Sequence, residues 1–270
     1  MDNAHISRFW KISFFPELSA LLACGLVLFY SPLVFSESRD PGFTHDEKKA
    51  IEEVVRDYIM KSPETILRSI QEYQIRQEAA QEQQLVEVIR DRRIELINDP
   101  NSFVAGNPDG DLTIVEFFDY QCGYCKRVHP VVKKLLQDDG NIRLVYKEFP
   151  ILGPASVYAA EAAMTTGSNE KYLPFHDALM NSRGQLTEER ILLIAASAGL
   201  DSMALKDAIA ESKTQNQAVI TKNYDLAKAL NISGTPAFVI GETVIRGAVD
   251  MSTFVEVITA ARKNNGATRR

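Results

Sequence analysis

The stretch "VEFFDYQCGYCKRVHPVV", residues 115 to 132, decides how this sequence is interpreted. It places Cys122 and Cys125 with two residues between them, in a chain that has 3 cysteines. An apolar run ends just before the pair and a helical pattern follows, so the cysteines fall where a strand gives way to a helix. Their spacing lets both sulfur atoms sit on the first turn of that helix.

This position favours redox chemistry. A thiolate attacks disulfides, and the free N–H groups and dipole of a helix N-terminus stabilise a thiolate. We therefore expect Cys122 to be a nucleophile with a lowered pKa, and Cys125 to be the buried resolving thiol. A structural disulfide between them would close too short a loop to contribute much stability, and a zinc site lacks a second cysteine pair. A metal site formed with His129 stays open; alone, His129 is interpreted as a surface or packing residue.

The sequence around the pair predicts an α/β fold. "LTIVEFF" is apolar on both faces, as in a strand buried inside a covered sheet. A helix from Cys122 to about Gln137 and the strand "NIRLVYKEF" complete a βαβ unit. Helices with N-caps such as Thr187 and Asp201 are expected over about 154–230. "TPAFVI" and "TVIRG" then form a hairpin, followed by a helix from about Ser252 to Lys263, which makes a ββα unit. Residues 98–111 are expected to be a turn-rich linker.

Residues 37–98 predict an all-α N-terminal arm. Ile51, Val54 and Tyr58 lie on one apolar stripe of a first helix. Ser62 and Pro63 suit the start of a second helix, expected to run to about Ile97. The arm could fold back on the main domain as a hairpin; we favour self-association through the apolar stripe.

The first 36 residues resemble a secretory signal, with a modestly basic start, an apolar run and small residues before a possible cut between Ser36 and Glu37. An uncleaved membrane anchor is the main alternative. "LLAC", ending at Cys24, loosely resembles a lipoprotein box. All three routes lead out of the cytoplasm, to the periplasm or cell envelope, where disulfide chemistry is possible. The net charge of -6 and pI near 5.4 argue against a nucleic-acid binder.

"EFFDYQCGYCK", followed far downstream by "GTPAFVIG", resembles the DsbA-type thioredoxin-fold disulfide oxidoreductases. The resemblance covers about Asn98 to Lys263 and implies a thioredoxin fold (βαβ plus ββα) with an inserted helical domain, so that residues 99–270 form the main domain. The upstream "VRDYIMKSPETILRSI" is similar to the arm of the ScsC-like and surface-antigen-like branch, whose members self-associate through it.

The resemblance also implies site residues. Pro236, preceded by Thr235, matches the family's cis-proline, which lies against the cysteines and leaves neighbouring backbone free to pair with a client peptide. Glu116 matches a family acid; inside an apolar strand its pKa should be raised, suiting it to take the proton of Cys125. A pairing of Glu116 with Lys147 on the next strand is a compatible alternative.

Gly123 and Tyr124 replace the proline and histidine of the best-known oxidase. This departure removes a cationic partner for Cys122, and Thr235 before the proline is similar to the isomerase-type members. Neither a cofactor nor a bound metal ion is expected.

The expected function is that of an exported thiol:disulfide oxidoreductase or isomerase that forms, reduces or reshuffles disulfides. Its expected partners are cysteine-containing exported clients, a membrane redox partner for recycling, and further copies of itself. The alternative is a non-enzymatic surface or copper-binding envelope protein on the same fold.

Overall fold

A five-stranded mixed sheet organises the chain, for which the computed structural model describes residues 42–268. The strands lie in the order β1-β3-β2-β4-β5. Only β2 and β3 are parallel among these five; the other three neighbouring pairs are antiparallel. The strands are β1 Val104–Gly106, β2 Leu112–Phe118, β3 Ile142–Glu148, β4 Ala237–Ile240 and β5 Thr243–Arg246.

Helices precede the sheet, connect its strands and close the chain. They are α1 His45–Lys61, α2 Pro63–Asp91, α3 Arg93–Ile97, α4 Gly123–Asp139, α5 Pro154–Met164, α6 Asn169–Asn181, α7 Glu188–Ser197, α8 Ser202–Ala229 and α9 Met251–Thr268. The predicted caps are confirmed: Thr187 accepts from the Arg190 N–H, and Asp201 accepts from the N–H groups of Met203 and Ala204. The βαβ unit, the four-helix insertion α5–α8 and the ββα unit are therefore confirmed as the thioredoxin fold with a helical insertion.

Each face of the sheet has its own apolar core, because side chains alternate across a strand. Ile114 and Phe118 of β2 pack on the side covered by α4, the insertion and α9. Val115 and Phe117 pack on the other side, against Ile89 of α2, Leu96 of α3 and the end of α8. The predicted burial of β2 on both faces is confirmed, and the alternation places Glu116 on the same face as α4.

The expected linker over residues 98–111 is wrong in one respect, since it contains strand β1. Val104, Ala105 and Gly106 pair antiparallel with Val145, Leu144 and Arg143. Gly106 has φ +74°, and a Cβ atom there would lie 2.4 Å from the Ile142 carbonyl oxygen. The close approach of two backbones at this point therefore requires glycine.

The uninterrupted helix expected from Pro63 to Ile97 is also wrong, because α2 ends at Asp91 and α3 begins at Arg93. The chain divides into two units, one up to Pro63 and one from Glu64. The expected domain boundary at residue 98 therefore falls inside the second unit, whose core includes Leu96.

The expected signal segment, residues 1–36, lies outside the described residues. Between Gly42 and Thr268, no helix is long and apolar enough to cross a membrane.

Candidate active site

The two cysteines lie at the junction of β2 and α4. Cys122 is the N-cap residue of α4, with φ −72° and ψ 113°, and Cys125 lies in its first turn. Both are free thiols, with 6% of Cys122 and 0% of Cys125 exposed to solvent. The less covered thiol is thus the one at the helix start.

Hydrogen bonds lower the pKa of Cys122 to about 5. The largest contribution is a bond from the Cys125 thiol, followed by bonds from the Thr235 side chain and from the N–H groups of Cys125 and Tyr124, while burial opposes the shift. When protonated, Cys122 can donate to the Thr235 carbonyl oxygen, 3.2 Å from Sγ. The donors outweigh this carbonyl, so the sulfur is a thiolate at neutral pH.

Cys125 behaves in the opposite way. Burial raises its pKa far above the ordinary value, and its hydrogen bond to Cys122 and the negative charge of Glu116 raise it further. Cys125 therefore keeps its proton while Cys122 is ionised. The thiol can attack only after a base removes that proton.

Glu116 is a buried acid whose charge acts on Cys125. Its side chain is 1% exposed, and burial raises its pKa to about 8. The alternative pairing with Lys147 is wrong, because the register sets Glu116 beside Tyr146 and sets Lys147 beside Phe117, whose side chains occupy the other face. Lys147 instead donates to the Glu95 carbonyl and the Ser102 hydroxyl, and its ammonium group lies 3.6 Å from Asp99.

The chain reaches the cysteines a second time before β4. The peptide bond between Thr235 and Pro236 is cis. Because Ala237 pairs with Phe117 in the sheet, the residues that precede β4 lie beside the loop that follows β2. This pairing brings Thr235 into contact with Cys122, although 113 positions separate them in sequence.

His129 is a packing residue. It is 2% exposed, its Nε2 lies 3.0 Å from Asp177 Oδ1 in α6, and Asp177 also pairs with Lys133. Within residues 42–268, no group of three or more His, Cys, Asp or Glu side chains is placed to hold a metal ion. The structure thus directs the imidazole toward the helical insertion.

Sequence reasoning missed Asp119, which lies between the strand and the cysteines. It is 1% exposed, and its carboxylate accepts hydrogen bonds from three different segments of the chain. A buried acid at the end of an apolar strand was the available clue. Its partners Leu152 and Ser156 could not be identified from sequence, because they belong to a loop and a helix beyond β3.

Comparison with known proteins identifies families and solved structures that are similar to this chain. A family model described as thioredoxin matches residues 98–260, and a model described as the copper resistance protein ScsC N-terminal domain matches residues 47–80. The chain is 43% identical to a thioredoxin-like oxidoreductase from Silicibacter pomeroyi DSS-3, covering 63% of this chain and 98% of that one, with a TM-score of 0.61.

The chain is also similar to the thiol-disulfide exchange protein α-DsbA2 from Wolbachia pipientis. The identity is 30% over 67% of this chain and 97% of that one, with a TM-score of 0.62. Among curated proteins, Na(+)/H(+) antiporter NhaA 1 of Salinispora arenicola is 30% identical over 160 residues. That alignment covers 58% of this chain but 24% of the antiporter, so the chain spans about a quarter of this relative's length.

Proposed function

The chain belongs to the thioredoxin family, and we propose that it is an exported thiol:disulfide oxidoreductase acting through the Cys122–Cys125 pair. The single observation that carries the proposal is the opposite shift of the two thiols. The pKa of Cys122 is lowered to about 5, whereas that of Cys125 is raised. The Cys122 thiolate can attack a disulfide, and the protonated Cys125 thiol can attack only after it loses its proton.

In the proposed reaction, the Cys122 thiolate attacks one sulfur of a client disulfide, and the other client sulfur leaves as a thiolate. Glu116 takes the proton of Cys125, whose thiolate then attacks the Cys122 sulfur. This step forms the Cys122–Cys125 disulfide and releases the second client thiolate, so that two electrons pass to the client. The reverse sequence oxidises a client dithiol. A thiol or disulfide partner at the membrane would return the pair to its starting state.

Cysteine variants of the full chain test this proposal. C125S should accumulate a mixed disulfide with a client such as insulin, because nothing displaces the captured sulfur. C122S should form none and should lose insulin reduction. Non-reducing electrophoresis with mass spectrometry measures both. Equal trapping by the two variants would contradict the assigned roles.

Thr235 and Pro236 are proposed to bind the client backbone. Thr235 lies against Cys122 through its carbonyl oxygen, and Pro236 carries no N–H group of its own. An extended client segment could pair with the backbone of the half-buried Thr235, next to the sulfur that it exchanges.

Self-association is proposed to favour reshuffling of disulfides. Helix α1 has no buried residue. Its apolar stripe is therefore uncovered, with Ile51, Val54 and Tyr58 45%, 69% and 59% exposed. An isolated helix of this length is marginal in water, which favours a second copy as its cover. The variant I51K/V54K/Y58K should be monomeric and should lack isomerase activity on scrambled ribonuclease. The control E53Q/D57N changes the opposite face of α1. Isomerase activity that survives in the monomers would contradict a role for self-association.

Export is proposed from the first 36 residues and locates the protein in the periplasm or cell envelope. Cell fractionation, with the mass of the mature N-terminus, tests it. A start at Glu37 would identify a cleaved signal, a full-length membrane-bound chain would identify an anchor, and a cytoplasmic chain would refute export.

The copper-binding alternative is favoured by the description of the family model that matches residues 47–80. That segment contains no Cys or His and one Met, so Cys122 and Cys125 are the candidate thiolate ligands that the test addresses. Titrating the reduced chain and the double variant C122S/C125S with copper(I), alongside insulin reduction, separates the two functions. Binding without exchange would favour this alternative.

A further inference from the structure

The Asp119 carboxylate joins three segments around the candidate active site. Its Oδ1 accepts from the Gln121 N–H at 2.7 Å and from the Ser156 hydroxyl at 2.8 Å, and Oδ2 accepts from the Leu152 N–H at 2.9 Å. Gln121 lies in the turn before Cys122, Leu152 in the loop after β3, and Ser156 in the first turn of α5. One buried side chain therefore fixes the relative positions of all three.

The backbone of Asp119 contacts both cysteines. Its carbonyl accepts from the Cys122 N–H at 3.0 Å, and its own N–H donates to the Cys125 sulfur. The bond from Gln121 N–H to the Asp119 side chain closes the turn of this segment from within, as Asp side chains do two residues on. The turn and the cysteines are thus held by a single residue.

The same cluster holds the backbone of an exposed apolar residue, Leu152. The Leu152 N–H donates to Asp119, and the Leu152 carbonyl accepts from Gln121 Nε2 at 3.4 Å. Gln121 Nε2 also lies 3.1 Å from Ser156 Oγ. Leu152 is 49% exposed although its backbone is held on both sides.

We propose that Asp119 is a positioning residue for thiol–disulfide exchange, which keeps the turn before Cys122 and the loop at Leu152 in one arrangement. The inference rests on the proposed function. Asp119 does not touch the client or transfer a proton; it acts by holding the donors at the start of α4 around the Cys122 sulfur.

Three aspartate variants separate positioning from the other possible effects. D119A removes all three side-chain bonds. D119N removes the charge but keeps an oxygen that can accept from Gln121 and Ser156, giving up only the Leu152 contact. D139A is the matched control at the far end of α4, because Asp139 bonds the Asn141 N–H at 3.2 Å and pairs with Arg262. D139A therefore loses similar bonds away from the cysteines.

The readout is the iodoacetamide reaction of Cys122 in the reduced full chain at about pH 6, localised by mass spectrometry. D119A should react about tenfold more slowly than wild type because less of its Cys122 is thiolate, whereas D119N and D139A should stay within about threefold. Equal acceleration in D119A and D119N would assign an electrostatic role and overturn the proposal. Wild-type reactivity in D119A with reduced thermal stability would assign a purely structural role and overturn it too.

Two further measurements keep the test decisive. Should D119A fail to fold, D119S replaces it, because serine closes the same turn more weakly and should react about threefold more slowly than wild type. Full reactivity of D119S would then overturn the proposal. If wild-type Cys122 reacts no faster than free cysteine, the proposed function itself fails, an outcome distinct from a reactive wild type with unaltered variants.

Discussion

The opposite shifts of the two thiols predict how the reduction potential of the pair depends on pH. Reduction adds two electrons and as many protons as the reduced form holds. Each proton contributes about 30 mV per pH unit to a two-electron couple, because that is a tenfold change in its equilibrium constant. Cys125 keeps its proton throughout, whereas Cys122 loses its own above pH about 5.

The slope should therefore change near pH 5. Below it, two protons are taken up and the potential should fall by about 60 mV per pH unit; above it, one proton is taken up and the slope should halve to about 30 mV. A pair with an ordinary Cys122 would keep the steeper slope up to the ordinary cysteine pKa of 9.0. At pH 7 the two cases differ by at most about 60 mV, with the real pair the stronger oxidant.

Redox titration against glutathione and dithiothreitol from about pH 4 to pH 9 measures the slope. The absorbance of the thiolate near 240 nm gives the pKa of Cys122 independently. The variant E116Q is the control, because it removes a buried acid whose charge acts on Cys125 and whose own titration could add a proton. Both proteins should show the break near pH 5.

The ionisation of Cys122 should also make the stability of the reduced protein depend on pH. The folded-state pKa of Cys122 lies below that of an unfolded cysteine, so its ionisation stabilises the reduced protein fully above the unfolded value of about 9. This contribution is lost as pH falls through about 5. Urea unfolding should show the reduced form gaining stability relative to the disulfide form as pH rises. A slope that stays near 60 mV per pH unit up to pH 8 would refute the reasoning.

Two further predictions concern buried charges. E116Q should slow the displacement of a trapped client by Cys125 at least about tenfold and remove the rise of that rate up to pH 8, because the pKa of Glu116 is raised to about 8 and only its ionised form takes the proton. Rapid mixing with a client peptide, followed by mass spectrometry of the mixed disulfide over time, measures this rate. A pH profile of the rate that is unchanged in E116Q would exclude the role. K147M should lower the free energy of unfolding by about 3 kcal/mol in urea, because it leaves Asp99 buried with one fewer cation. The exposed control K134M should change it by less than about 0.5 kcal/mol, and equal effects would show that burial of the pair does not matter.

The architecture could be predicted because its elements carry strong local patterns. β2 is apolar on both faces, α4 starts at the cysteine pair, and the segment after α4 has the pattern of a second strand, so strand, helix and strand could be predicted from local sequence. Thr187 and Asp201 marked helix starts in the insertion by their capping chemistry. The short strand β1 was missed because its 3 residues are too few for an alternating pattern and lie among turn formers.

The parts of the site that could not be predicted depend on contacts distant in sequence. A lysine opposite an acid on neighbouring strands looks like a pair, but the register sends Lys147 and Glu116 to opposite faces. His129 finds Asp177 only because α6 of the insertion packs against α4. Strand and helix patterns specify which face a residue occupies, and they do not specify which element covers that face.

The residues between the two cysteines, Gly123 and Tyr124, lack a positive charge, which suggests an ordinary pKa for Cys122. Gly123 and Tyr124 provide no cation for Cys122, and the Arg127 guanidinium lies 4.7 Å from the centre of the Tyr124 ring. The pKa of Cys122 is nevertheless lowered to about 5, because its donors are the Cys125 thiol, Thr235 and backbone N–H groups. All of these belong to the junction of strand, helix and the segment before β4. The fold itself therefore lowers the pKa of Cys122, without a charged side chain at position 123 or 124.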